Sequence, residues 1–528
     1  MLSRRHLLAA SAASAALPLL AAEADVPKTV LVVGQQLDGL ISLDPAESFE
    51  VIGRDTFSNC YHRLLQPDPG NPNRLKGVLA EKWEVGSNGV TFTFHLRGDA
   101  RFASGKPLTA QDAAFSFQRA IKLNKSPAFI INQFGFTKDN VESRIVAGDA
   151  RTLVLTVGEQ VAPTLLLYCL TADIGSIVER EVVLANAQGD DLGNQWLKTH
   201  SAGSGPFVLR DWKASETVRY EANPNSPEKP KLRIVIVKHI ADPSAQLLEL
   251  QKGDIDIARN LQAEQLQTAQ NDARLRLSSA LQGNLMYLGM NQSKPELARP
   301  EVRQAIKWAI DYEGIQKNIV PFSYQVHQSF LPEGFPAALK ANPFHRDLAR
   351  AKELLAKAGL AGGFEATLDH ASIQPTADIA QAVQANLAEI GITVTLVAGD
   401  SRQVFTRTRA RQHQLALLAW GPDYFDPNTN AETFNENPDN SDTARNKTLC
   451  WRNSWQDADL TARAIAAAHE TDAARRIAEY ESMQRDSQNR SPFAIMLQQK
   501  EVAAVRKAVS GFDLAPMSGR TNYFTASK

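Results

Sequence analysis

Residues 417–428 read LLAWGPDYFDPN, an apolar run that ends in two carboxylates, Asp423 and Asp426, among rings and prolines. Acids at the end of a buried strand can receive a cation, because an ammonium group enclosed away from water needs an opposite charge. The same residues can also do no more than cap a turn before Pro427, since a short Asp side chain bonds readily to its own following backbone. Residue chemistry leaves both readings open, and it leaves Trp420 as either a rigid pocket wall or a core ring. Other chemistry finds less support. GSGPF places Ser204 in a Gly-rich setting, but the pattern differs from G-x-S-x-G and no His or acid follows closely. The ten histidines are scattered. They form no H-E-x-x-H and no His/Cys cluster for zinc. Gly105-Lys106 imitates a phosphate loop, but its spacing from Gly98 is wrong and Pro107 stands where Ser or Thr should follow. A hydrolase is therefore the weaker rival, and no metal or cofactor is expected. A scaffold or chaperone-like binder of unfolded chains stays compatible with the sequence.

These residues must be positioned by a large chain. With 528 residues, two or three domains are expected. A composition of 43% hydrophobic and 22% charged residues is globular, and a net charge of -1 gives no general affinity for nucleic acid or anionic membrane. The N-terminus, residues 1–24, reads as an export signal: Arg4 and Arg5, an Ala-rich apolar stretch too short to span a bilayer, then Ala22-Glu23-Ala24 as a cleavage site. Ser-Arg-Arg-His-Leu-Leu resembles a twin-arginine signal, which implies export of a folded protein, and an ordinary secretory signal is the alternative. No Cys lies near the cleavage site, so a lipid anchor is not expected. Cys60, Cys169 and Cys450 are far apart and lack metal-ligand spacing; they read as structural, with at most one disulfide.

Hydrophobic period sets the elements. Phe92, Phe94 and Leu96 alternate with polar neighbours, as in a half-buried strand. Thr109 with Asp112 three residues on predicts a capped helix start. A strand over 231–240 precedes a helix that ends at Gly253. From residue 284 onward, strands alternate with helices: a helix over 301–310, another over 347–358, a strand over 363–371, and a helix carrying Ile379, Val383 and Leu387. A strand over 392–397, a helix over 401–412 and a strand over 414–420 follow. That alternation predicts βαβ units and a parallel sheet. Ligands of such sheets sit beyond the carboxyl ends of the strands, and LLAWGPDYFDPN is such an end.

Five collinear blocks then resemble the extracellular solute-binding proteins of family 5, the oligopeptide- and dipeptide-binding components of bacterial ABC importers. They are residues 79–120 (LAEKWEVGSNGVTFTFHLRGDARFASGKPLTAQDAAFSFQRA), GSGPFVLRDWK, LQKGDIDIA, MYLGMNQ with EVRQAIKWAID, and DLARAKELLAKAGL. The resemblance implies an α/β, two-lobed periplasmic binding protein fold of the large cluster C type, with a third small domain inserted in lobe I. Carried onto this chain, lobe I takes 25–62, 195–283 and 505–528, the insert 63–194, and lobe II 284–504. The hinges are expected near 285–288 and 496–505. It further implies a monomer in the periplasm that performs no catalysis, passes a short peptide to inner-membrane permease subunits and has no nucleic-acid partner. Other members of the family take opines, nickel chelates, haem or oligosaccharides.

By resemblance, Asp423 pairs with the ligand's ammonium group, beside Trp420, Pro422 and Tyr424. Ser48, Phe49 and Glu50, after Leu43-Asp44-Pro45, match a pocket-lining stretch whose alternative is an exposed loop. The arginine that holds a peptide carboxylate in some members is missing: Leu417 stands near one such place, and His370 is the expected substitute at another.

Overall fold

The computed structural model describes residues 27–68, 70–516 and 521–528; the expected export signal lies outside them. Among the described residues, the main sheet has eleven strands. Its centre is a pair of long antiparallel strands, Leu275–Met290 and Phe493–Arg506, which run through both halves of the molecule. On one side, Phe493–Arg506 pairs with the short strand Ile257–Ala258, followed outward by Val30–Gln35, Ile234–His239, Thr217–Ala222 and Phe207–Lys213. On the other, Leu275–Met290 pairs with Leu415–Trp420, followed by Phe364–Ala371 and Ile392–Gly399. The last three strands are mutually parallel, as the strand–helix alternation predicts. Their join to the long pair is antiparallel, which a period in sequence does not reveal.

The pairing of the long strands is irregular at two places near the middle, between Leu281 and Leu285 and again between Met286 and Tyr287. Leu281 faces Lys500 and Leu285 faces Gln498, so Gln282, Gly283 and Asn284 form an irregularity. Such extra residues locally break the ladder and bend the strand. Here Asn284 Nδ2 donates to Gln499 Oε1 at 2.6 Å in place of a ladder bond.

A separate four-stranded sheet, Ala80–Val85, Thr91–Leu96, Thr152–Thr156 and Ile145–Ala147, packs against helix Ala110–Leu123. Its core holds Phe92, Phe94, Leu96, Phe117, Leu153 and Leu155, all buried, and the alternating residues of the sequence face inward. Asp112 accepts bonds from Thr109 N and Oγ1 at 3.0 and 2.6 Å, closing the expected helix start. This inserted unit touches both lobes. Arg119 on its helix forks onto Asp44, with Nη1–Oδ1 2.8 Å and Nη2–Oδ2 2.5 Å, and both residues are fully buried. On the opposite side Arg476 bonds Thr164 Oγ1 at 2.9 Å, and Ala162 N donates to Ala468 O at 3.0 Å. All three cysteines are buried free thiols, and burial pushes the Cys60 thiol up to about 12. Among the described residues, no helix is long and apolar enough to cross a membrane.

Candidate ligand-binding site

Strand Leu415–Trp420 ends at Gly421, and the chain turns at once toward the middle of the molecule. A side chain at Gly421 would collide with Asn284 Oδ1, so the absence of a Cβ lets this turn lie against the irregularity of the long strands. Beyond it the two acids part company. Asp426 is fully buried. Its Oδ1 accepts from Asn428 N at 2.9 Å, and Arg476 grips both oxygens at 2.7 and 2.8 Å. Asp426 therefore does the turn-capping, and its charge is already met.

Asp423 is different. Its backbone N–H reaches Thr429 Oγ1 at 3.3 Å, while its carboxylate borders two cavities. One, of about 800 Å³, lies between the lobes: Phe49, Asp55 and Arg259 face it from one side, and Pro422 and Asp423 from the other. The other, of about 570 Å³, lies between the inserted unit and the second lobe, with Phe129, Trp420 and Glu432 in its wall. Phe49 and Phe129 meet edge to face at 5.9 Å where these cavities adjoin. Burial pushes the Asp423 carboxyl up to about 6; the like charge of Glu432 adds to this and Arg54 opposes it. Glu436 is pushed up to about 7 by burial and by the same Glu432. The site thus holds a half-desolvated acid beside the like charge of Glu432, an arrangement that favours an incoming cation.

The other expected residues fall in several places. Phe49 is 43% exposed and lines the larger cavity. Its neighbours do not: the buried Ser48 donates its hydroxyl to Glu50 Oε2 at 3.1 Å, and the same oxygen accepts from Phe49 N at 3.1 Å. These two shape the loop that presents Phe49, and Arg119–Asp44 holds that loop at its base. Pro422 lines the larger cavity, and Trp420 the smaller, its Nε1–H directed at Asn430 Oδ1 3.4 Å away. Tyr424 borders the smaller cavity, but its ring is buried in the core of the inserted unit. His370 does not reach the cleft. It is 4% exposed with Nδ1 turned to Ala371 O at 2.9 Å, because the strand is buried on both faces over Leu368, Asp369 and His370; Gln374 and Pro375 line the cavity instead. Leu417 is a core residue.

Several cleft residues carried no sequence signal. Arg259 Nε donates to Glu501 Oε1 at 2.9 Å and also pairs with Asp55, whose carboxylate accepts from Tyr523 OH at 2.8 Å. These groups come from four distant stretches, so only the fold unites them. The expectation about Ser204 also needs correction. The fold brings His62 Nδ1 to 3.0 Å from Ser204 Oγ, and His62 Nε2 to 3.5 Å from Glu228. A working triad needs the hydroxyl open to substrate and facing Nε2; Ser204 is 1% exposed and faces Nδ1.

The sequence pattern of bacterial extracellular solute-binding proteins, family 5 (middle region), matches residues 74–442. The chain belongs to this family. It is 30% identical over 503 residues to the probable D,D-dipeptide-binding periplasmic protein DdpA of Escherichia coli (strain K12), covering 94% of this chain and 93% of that protein. It is 27% identical over 508 residues to the dipeptide-binding protein of Pseudomonas aeruginosa, with 92% of each chain covered. The solved structure of HbpA2 from Haemophilus parasuis superposes with a TM-score of 0.79 at 25% identity, covering 94% of this chain and 99% of that one. The family 5 resemblance drawn from the five blocks is thereby borne out, as is the two-lobed fold. As a family 5 protein the chain serves solute transport as the binding component of an ABC importer.

Proposed function

We propose that the protein captures a short peptide between its lobes, with the peptide's ammonium group on Asp423, and delivers it unchanged to inner-membrane permease subunits. One observation carries the reading: of the two acids after LLAWG, Asp426 is neutralised by Arg476, while Asp423 stands desolvated at the junction of two cavities. The names of the relatives, a probable D,D-dipeptide-binding protein and a dipeptide-binding protein, support a peptide over an opine, chelate, haem or sugar. Phe49, Trp420 and Pro422 are the apolar walls in this reading, and Tyr424 supports the floor from behind. We divide the chain as lobe I (25–62, 195–283 and 505–528), insert (63–194) and lobe II (284–504). The hinge falls at 282–284 and 498–500, where the ladder of the long strands lapses. The protein works as a periplasmic monomer, exported by the twin-arginine route.

Mass spectrometry of whatever small molecule accompanies the purified protein tests this, together with calorimetric titration against L- and D-alanyl-alanine and their longer homologues. Recovery of a sugar or chelate with no amine, and no heat from any peptide, would sink the peptide assignment.

A further inference from the structure

Six acidic or basic side chains face the 800 Å³ cleft: Arg54, Asp55, Arg259, Asp423, Lys500 and Glu501. Three of them are ion-paired within the protein, and Arg54 and Asp423 feel each other's charge more weakly. Arg259 holds both Asp55 and Glu501, and Arg54 acts on Asp423. Lys500 is the exception: among the described residues, no acid lies within ion-pairing distance of its amine. Its backbone is fixed all the same. Lys500 sits on strand Phe493–Arg506 opposite Leu281, where the pairing lapses, and its N–H donates to Ser323 O at 2.7 Å. A half-buried ammonium without a counter-charge is costly unless an anion arrives. Burial alone holds its pKa below the ordinary lysine value, with no carboxylate to offset it.

We propose that Lys500 receives a carboxylate of the ligand, so that the protein selects amino acids linked as free-acid peptides, zwitterions whose positive end meets Asp423 and whose negative end meets the pivot of the two lobes. This rests on the peptide reading above and adds the second anchor to it. It also accounts for the apolar Leu417 and the buried His370 at the two positions where a carboxylate receptor is expected. A lysine on the pivot strand contacts the anion as a point charge rather than a fork, so neither lobe needs to contribute an arginine.

The test compares alanyl-alanine and trialanine with their C-terminal amides, on wild type and on Lys500→Gln and Lys500→Arg, by calorimetric titration. Wild type should prefer each free acid over its amide by about tenfold or more, the scale of one charge-assisted contact in a partly desolvated site. Lys500→Gln should bind acid and amide alike, and Lys500→Arg should recover most of the preference. Unchanged melting temperatures check that the variants are folded. Equal binding of acid and amide by wild type, or a full preference retained in Lys500→Gln, overturns the inference and leaves the peptide reading standing. Binding of neither form by wild type overturns both.

Discussion

Asparagine in place of Asp423 keeps the side-chain volume and removes the charge, and two opposite effects follow. In the free protein, burial and Glu432 hold the carboxyl at about 6, above its ordinary 3.8. A raised acid favours the protonated folded state, so its ionisation costs stability. The cost is absent below pH 3.8, grows between that and about 6, and is complete above. Moving the pKa from 3.8 to about 6 corresponds to ~3 kcal/mol at most. Screening at a partly exposed side chain lowers this to about 1–2 kcal/mol. Asp423→Asn should therefore melt higher than wild type at pH 7.5, and the two curves should converge near pH 4. With ligand the order reverses. Loss of an enclosed ion pair costs about 3–5 kcal/mol, roughly a 10²- to 10³-fold fall in affinity or more. Wild-type affinity for a peptide should itself fall as pH drops through about 6, whereas the variant's weak binding should stay flat there. An N-acetylated peptide should bind wild type as poorly as the free peptide binds the variant. Scanning calorimetry at two pH values and titration with both peptides decide the matter. A variant that melts lower at pH 7.5 and binds normally would mean that Asp423 is a turn cap and not an amine receptor.

Arg476→Met strands Asp426 without its partner and should destabilise the protein by about 3–5 kcal/mol in denaturant titration, with little effect on affinity once folded; a change below 1 kcal/mol would contradict the assigned role of the pair. A peptide that bridges the lobes favours the closed arrangement, so small-angle scattering should show a smaller radius of gyration at saturation and the melting temperature should rise with peptide concentration. A fluorophosphonate probe should leave Ser204 unlabelled in the folded protein, because its hydroxyl is enclosed; stoichiometric labelling would revive a hydrolytic role for Ser204, His62 and Glu228.

The parts of this architecture that repeat locally were legible in the chain. The alternation at Phe92, Phe94 and Leu96, the Thr109–Asp112 start and the αL cap at Gly253, with φ 94°, each depend on neighbours a few residues away, so period and turn chemistry reveal them. Asp423 was legible as a candidate because an acid directly after an apolar strand is locally unusual. What separates it from Asp426 is Arg476, fifty residues on, and nothing near LLAWGPDYFDPN announces that pairing. His370 misled for a related reason. Strand Phe364–Ala371 is buried on both faces over Leu368, Asp369 and His370, and in such a stretch the side that meets the ligand has no period of its own. Lys500 and Arg259 owe their places to the long crossover strands and stayed hidden for the same cause.

Those crossover strands also fix the order in which the molecule can be finished. Strand Val30–Gln35 is made early, but the short strand beside it, Ile257–Ala258, gains its other neighbour only from Ala504 and Val505. The same core also awaits Val509, Phe512, Tyr523 and Ala526, and Lys528 Nζ closes on Asp256 at 2.9 Å. The first lobe to be synthesised is thus the last to be completed. Throughout translation of the intervening lobe it presents an open sheet edge and an unfilled apolar face, features that invite wrong pairing. A nascent chain halted before residue 493 should therefore be protease-sensitive in its first lobe and protected in its inserted unit.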